Sequence, residues 1–102
     1  MKALEDILAV LAELPEDEAL YIVKNDQGFD FKNCAVLDPD EAEDPDGSKH
    51  DYVINNRLVY FLEISILLQI EHNLRMQNEE YSADDLVQAV LFYFKHDAFI
   101  TV

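Results

Sequence analysis

Residues 51–78 read DYVINNRLVYFLEISILLQIEHNLRMQN, and the structure of this stretch decides the fold class of the whole chain. One interpretation is a single unbroken helix over 52–77. The other is a short helix, a strand in VYFLEI (59–64), and a second helix that has Ser65 as its N-cap. The run LVYFLEIS is apolar on every side, and a strand buries such a run more easily than a one-sided helix. We therefore predict the divided arrangement.

Amphipathic periodicity predicts a helix at each end of the chain. Near the N-terminus, apolar residues recur at spacings of three and four and stop at Pro15, which predicts a helix over 2–14. Near the C-terminus, Ser82 and Asp85 are spaced like a capping box and predict a helix over 83–96. The stripes that these two helices would bury are Leu4, Ile7, Leu8, Leu11 and Leu14, and Leu86, Val90, Leu91 and Phe94.

Two short strands are predicted between the first helix and the middle of the chain. Residues 19–23 are β-branched and aromatic, and Cys34 to Leu37 form a second apolar run. The sequence NDQG between them is typical of a turn, and we expect a hairpin with a long connection. Together with the divided middle stretch, these elements predict a single α+β domain over 1–102, with about three strands packed by three or four helices.

The charge of the chain is strongly acidic. Twenty-two Asp and Glu residues face seven Lys and Arg residues, a formal net charge of −15. Nucleic acids and anionic membranes are recognised by basic side chains, so this balance excludes both as expected partners and favours a basic protein. The N-terminal stretch has acids inside its apolar pattern and does not resemble a signal peptide, and one cysteine allows no intrachain disulfide. We therefore expect a cytoplasmic protein.

The acids are densest at about 38–51, where Pro39, Pro45 and Gly47 predict a long loop. A calcium loop counted from Gly47 fails, because Ala42 and Val53 would occupy two of its ligand positions. We predict that this loop is mobile, binds no metal, and contacts the partner. Its candidate partner-binding residues are Asp38, Asp40, Glu41, Glu43, Asp44 and Asp46.

No pattern of side chains points to catalysis, a cofactor or a metal. His50, His72 and His96 fall on three different predicted elements and form no ligand motif. Cys34 lies in an apolar strand, where a small buried residue is expected rather than a nucleophile. Five aromatic residues could line a pocket, although we favour a core role for them: Tyr52, Tyr60, Phe61, Phe92 and Tyr93. Phe92 and Tyr93 lie off the predicted stripe of the last helix, so they either pack against the sheet or are exposed for a partner. We predict that the chain is not an enzyme and has neither cofactor nor metal.

Four segments together carry a resemblance to known proteins. They are LEDILAVLAELPEDEALYI (4–22), VLDPD (36–40), FLEIS (61–65) and DDLVQAVLFYFKHDAFI (84–100). Their order, which covers most of the chain, resembles a set of small, acidic, uncharacterised bacterial proteins. Those proteins are similar in size and charge to the immunity proteins of contact-dependent and polymorphic toxin systems. The resemblance implies a binding protein of the bacterial cytoplasm and assigns no catalytic residue.

The function predicted from the sequence is therefore protein binding without catalysis. An acidic face would engage a basic protein, such as a toxin nuclease, and inhibit it by steric and electrostatic occlusion. The alternative is a small-molecule or metal-responsive domain with weak or no enzymatic activity. A DNA mimic is a further alternative, although mimicry needs fixed spacing of carboxylates and a loop rich in breakers does not provide it. The oligomeric state and the identity of the partner are left open.

Overall fold

The computed structural model describes residues 1–42 and 51–101, and it contains a three-stranded antiparallel sheet. Strands β1 (Ala19–Asn25), β2 (Gly28–Leu37) and β3 (Leu58–Glu63) lie in the order β2-β1-β3. The helices are α1 (Leu4–Ala9), α2 (Pro39–Ala42), α3 (Asp51–Asn55), α4 (Ile64–Gln77) and α5 (Ala83–His96). The predicted α+β fold is confirmed.

The divided arrangement of residues 51–78 is also confirmed, since α3, β3 and α4 follow one another there. The predicted cap is wrong: α4 begins at Ile64, and Glu63 is its N-cap without a side-chain capping bond. Ser65 lies in the first turn, where its hydroxyl donates to Glu63 Oε2 at 3.4 Å. The strand therefore passes directly into the helix, with no turn residue between them.

The hairpin of β1 and β2 has a two-residue turn instead of the long connection that we expected. The Asn25 side chain accepts a hydrogen bond from the backbone N–H of Gln27 at 2.9 Å, which closes the turn at Asp26 and Gln27. Gly28 then adopts a φ of 109°, a conformation that favours glycine. Strand β2 accordingly begins at Gly28 and not at Cys34.

Extra residues interrupt both outer strands. In β2, Ile22 pairs with Cys34 but the next residue of β1 pairs with Asp30, so that Phe31–Asn33 are inserted. The Asp30 carboxylate accepts from the Lys32 N–H at 3.1 Å and from the Asn33 side chain at 2.7 Å, and the second of these bonds is the main reason why the pKa of Asp30 is lowered. In β3, Phe61 is the inserted residue. These β-bulges hide the period of two that a regular strand displays.

The first helix is shorter than predicted. Residue Lys2 is extended and pairs with Cys34 of β2 through backbone bonds of 2.9 and 2.7 Å, so α1 begins only at Leu4. The helix ends at Ala9, and a 3-10 turn over Leu11–Glu13 replaces the remainder of the predicted 2–14 helix. The predicted stripe is still directed inward, because Leu4, Ile7, Leu8 and Leu11 are all buried.

The sheet divides the buried residues into two clusters. Alternate residues of β1 face opposite sides, so Leu20 and Ile22 join the main core while Ala19 and Tyr21 join a smaller cluster. The main core is closed by buried side chains of α1, α4 and α5. The smaller cluster is closed by Val53 of α3, which lies on the other side of the sheet.

Helix α5 begins and ends as predicted. Ser82 and Asp85 form a capping box, with bonds of 3.1 Å to the Asp85 N–H and 3.0 Å to the Ser82 N–H. Within the predicted stripe, Leu86 and Val90 are buried and Leu91 is partly buried against the main core. Phe94 is 41% exposed, which differs from its predicted place in the core.

The C-terminus of α5 offers a stabilising substitution. Asp97 occupies the left-handed conformation (φ 53°), where an L-residue is strained and where its negative charge opposes the helix dipole. We expect Asp97→Gly to raise the unfolding free energy by about 0.5–1 kcal/mol, because it removes both penalties. Urea denaturation followed by circular dichroism measures the change. Asp97→Asn, which removes only the charge, should give a smaller increase; an Asp97→Gly variant less stable than the native chain would contradict this view of the cap.

Candidate functional site

The antiparallel register brings separate acidic stretches to one end of the sheet. Ala19, the first residue of β1, pairs with Leu37 at the end of β2 and with Glu63 at the end of β3. The residues that flank these three positions must therefore lie near one another. We call the following six residues the acidic end: Glu16, Asp17, Glu18, Asp38, Asp40 and Glu63.

Backbone and side-chain bonds hold the acidic end on the folded framework. The Glu18 carbonyl accepts from the Ile64 N–H at 3.0 Å, which joins the start of β1 to the start of α4. Asp38 Oδ1 accepts from the Asp40 N–H at 2.9 Å and so closes the first turn of α2. The Tyr60 hydroxyl forms a hydrogen bond with the neighbouring Glu63 carboxylate, and burial, followed by the charge of Glu63, raises the pKa of Tyr60 to about 12. These carboxylates are therefore placed on strands and turns with defined positions.

The residues predicted for partner binding have different outcomes. Asp38 and Asp40 lie in the acidic end, and Glu41 lies in α2. Glu43, Asp44 and Asp46 lie outside the described residues, as does the rest of 43–50 with its predicted mobility. Within the predicted 38–51 loop, Pro39–Ala42 form α2 and Asp51 begins α3, so these described parts are helical.

Sequence reasoning missed four members of the acidic end: Glu16, Asp17, Glu18 and Glu63. They are far from the acidic stretch along the chain and join it only through strand pairing. The signal available in the sequence was the position of each acid, immediately outside or at the end of a strand. That signal needs the strand order before it can be used.

The opposite end of the sheet carries basic residues. Lys24 lies near the end of β1, and its N–H donates to the carbonyl of Arg57, just before β3, at 3.0 Å. Lys32 lies in the bulge of β2 at the same end, together with the acids Asp26 and Asp30. Charge therefore changes along the strand direction, from strongly acidic at one end to mixed at the other.

The two histidines and the cysteine among the described residues lie on three different elements. His72 contacts Arg75 (Nδ1 to Nη2, 3.2 Å) on α4, and His96 lies against Phe92 on α5. Cys34 is 1% exposed, and burial raises its pKa to about 11. Within residues 1–42 and 51–101, no group of three His, Cys, Asp or Glu side chains is arranged to hold a metal ion. In the same part of the chain, every helix is too short or too polar to cross a membrane.

The aromatic residues considered for a pocket are divided between core and surface. Phe61 is buried at 3% exposure, and Phe92 and Tyr93 are partly buried. Tyr60 is 45% exposed and meets Tyr21 edge to face, with ring centroids 5.7 Å apart. Tyr52 is also exposed, at 43%, so only part of this set has the core role that we predicted.

The fold and its acidic end define a small α+β domain whose sheet is polarised by charge. The chain belongs to the family described as a domain of unknown function, DUF7716, whose sequence profile matches residues 1–102. No curated protein and no solved structure matches the chain.

Proposed function

We propose that this chain is a protein-binding module without catalysis, and that its acidic end engages a basic protein. If that partner is a toxin, inhibition would follow from steric and electrostatic occlusion of its basic surface. The observation that carries the proposal is the convergence of acids from three separate stretches at Ala19, Leu37 and Glu63. A charged loop that only keeps a protein soluble would not need acids at the adjoining ends of three strands.

The fixed positions of these acids on the fold support specific recognition of a partner, beyond a general attraction between opposite charges. Glu16, Asp17, Asp40 and Glu63 are exposed, so their charges reach solvent and a partner's surface. Because they are attached to paired strands and a helical turn, their spacing is maintained before the partner arrives. Preorganised charges orient an approaching surface and raise its association rate, while contributing less to the lifetime of the complex.

We expect neutralisation of the acidic end to slow association by at least about tenfold at low salt, since complementary charge can raise association rate constants from about 10⁵–10⁶ towards 10⁸ M⁻¹s⁻¹. The variant combines Asp17→Asn, Asp40→Asn and Glu63→Gln, all at exposed positions. A partner is first isolated by pull-down from lysate of the source cell at about 0.01 M salt, where the Debye length is about 30 Å. Its association rate constant is then measured with each variant by surface plasmon resonance.

The matched control changes three exposed acids elsewhere and has the same net charge: Glu5→Gln, Asp26→Asn and Asp84→Asn. It should associate within about twofold of the native chain, because these residues lie on helices or at the far end of the sheet. If the association rate constant falls by the same factor in both variants, association depends only on the net charge of the chain and not on the acidic end. Failure to recover any basic protein at low salt would also refute the proposed function.

A further inference from the structure

Helix α4 has a second stripe besides the one that it buries. Its buried residues are Ile64, Leu67, Ile70 and Leu74. On another side, residues at helical spacing line an open groove of about 710 Å³. Glu16 and Phe99 form its walls. We call this feature the α4 groove and define it by Glu16, Ser65, Leu68, His72, Met76 and Phe99.

The α4 groove exposes large apolar side chains. Met76 is 74% exposed and Phe99 is 40% exposed, whereas most large apolar residues of this chain are buried or partly buried. Methionine adapts to ligands of different shape, and surface methionines are common where proteins bind helices. An exposed apolar strip with polar edges is the usual arrangement of a protein-binding groove.

The Phe99 wall of the groove is held in place by contacts within the chain. The Phe99 ring lies 5.4 Å from the Tyr93 ring of α5, between centroids. One residue further, the Ile100 carbonyl accepts a hydrogen bond from the Gln77 side chain of α4 at 2.9 Å. These contacts fix the segment after α5 beside α4, so a partner would find the groove already formed.

The length and charge of the groove determine what it fits. Helix α4 has 14 residues and is therefore about 21 Å long. Glu16, a member of the acidic end, lines the groove together with Ser65 from the first turn of α4, and the exposed Glu79 and Glu80 follow the C-terminus of the helix. An apolar strip with acids at both ends is complementary to an amphipathic helix that has Lys or Arg at both of its ends.

We infer that the α4 groove receives a positively charged amphipathic helix of the partner. Apolar side chains of that helix contact Leu68, Met76 and Phe99, and its basic ends face Glu16 on one side and Glu79 and Glu80 on the other. The inference rests on the proposed function, because the helix is assigned to the same basic protein. It adds an apolar docking surface to the interaction that the charges of the acidic end orient.

The probe is a synthetic peptide of about 14 residues, with leucines at helical spacing i, i+3, i+4 and i+7 and lysines elsewhere. A scrambled isomer has the same charge but no apolar face. Binding to the full chain is measured by fluorescence anisotropy, and NMR shifts of the labelled chain locate the contact. We expect the amphipathic peptide to bind at least about tenfold more tightly than the isomer and to shift signals of Leu68, His72 and Met76.

Two variants that each add one negative charge distinguish peptide binding by apolar contact from binding by electrostatic attraction. Met76→Glu places a carboxylate in the groove, and Ile54→Glu places one on α3, at a residue that is 55% exposed. Each makes the chain more acidic and would strengthen binding by charge alone. We expect Met76→Glu nevertheless to weaken binding about tenfold, and Ile54→Glu to leave it unchanged or slightly tighter.

The possible failures lead to different conclusions. If both peptides bind equally and Met76→Glu does not weaken binding, attraction is by charge alone; the groove is then refuted while the acidic end remains a binding surface. Signals that shift on α3 instead of α4 refute the groove as well. If neither peptide binds at low salt, both the groove and the proposed function are refuted.

Discussion

Replacing Phe61 by alanine should lower the unfolding free energy by about 3–5 kcal/mol, the largest effect expected from one side chain in this fold. Phe61 is 3% exposed and stacks on Phe94, with centroids 4.0 Å apart and planes at 11°. It also meets Phe29 and Phe31 edge to face at 5.4 and 6.1 Å. Alanine would leave a cavity between the sheet and α5. Urea denaturation followed by circular dichroism gives the loss directly.

Phe94→Ala is the matched control for this prediction. It removes a ring from the same cluster, but Phe94 is 41% exposed and already contacts water. We expect a loss of only about 1–2 kcal/mol, from the ring contacts with Phe29 and Phe61 and the small buried area. If Phe94→Ala lowers the unfolding free energy more than Phe61→Ala does, the centre of the aromatic cluster lies at Phe94 on α5 and not at Phe61 on β3.

Cys34 should react with iodoacetamide roughly 100-fold more slowly than an unstructured cysteine at about pH 8, because only the thiolate is nucleophilic. Burial, with a smaller effect of Asp30, raises its pKa from 9.0 to about 11, which reduces the thiolate fraction by about that factor. Mass spectrometry of quenched samples measures the rate. The same chain in concentrated urea is the control and should react at the rate of a free peptide. Equally fast labelling of the folded chain would contradict a buried thiol.

The same pKa shift predicts how stability depends on pH. The folded-state pKa of Cys34 lies above its unfolded value, so the stabilisation is complete below about pH 9 and is lost as the pH rises towards 11. Cys34→Ala removes this contribution but retains the tyrosines that also titrate in alkali. The difference in unfolding free energy between the native chain and Cys34→Ala should therefore shrink over this range. A constant difference from pH 8 to pH 11 would refute the shift.

The parts of the fold that local chemistry determines were predictable from the sequence. The spacing of Ser82 and Asp85 located the start of α5, and the largely apolar run before Ser65 indicated β3. The errors came from contacts between distant residues. Pairing of Lys2 with Cys34 prevents an earlier start of α1, and no local pattern near Lys2 reports it.

The candidate site was only partly predictable for the same reason. Asp38 and Asp40 belong to a dense acidic stretch and were found by composition alone. Glu63 lies in an apolar segment and looked like an ordinary strand-end residue. Its place beside Asp17 depends on pairing between Ala19 and Glu63, residues 44 positions apart. The density of acids along the chain therefore identified only Asp38 and Asp40, which follow β2. The acids beside β1 and β3 could be placed only when the pairing of the strands was known.

The inserted residues in the two outer strands also protect the chain from self-association. Strand β3, LVYFLE, is six residues long, apolar apart from Glu63 and free of glycine and proline, which is close to the composition of segments that stack into amyloid. It lies at an edge of the sheet, where another chain could add a strand. The insertion of Phe61 breaks the regular spacing of backbone donors and acceptors that such stacking requires, and Lys2 pairs with the other edge at Cys34. Phe61, which packs in the main core, thus also opposes the use of β3 as a template for fibrils.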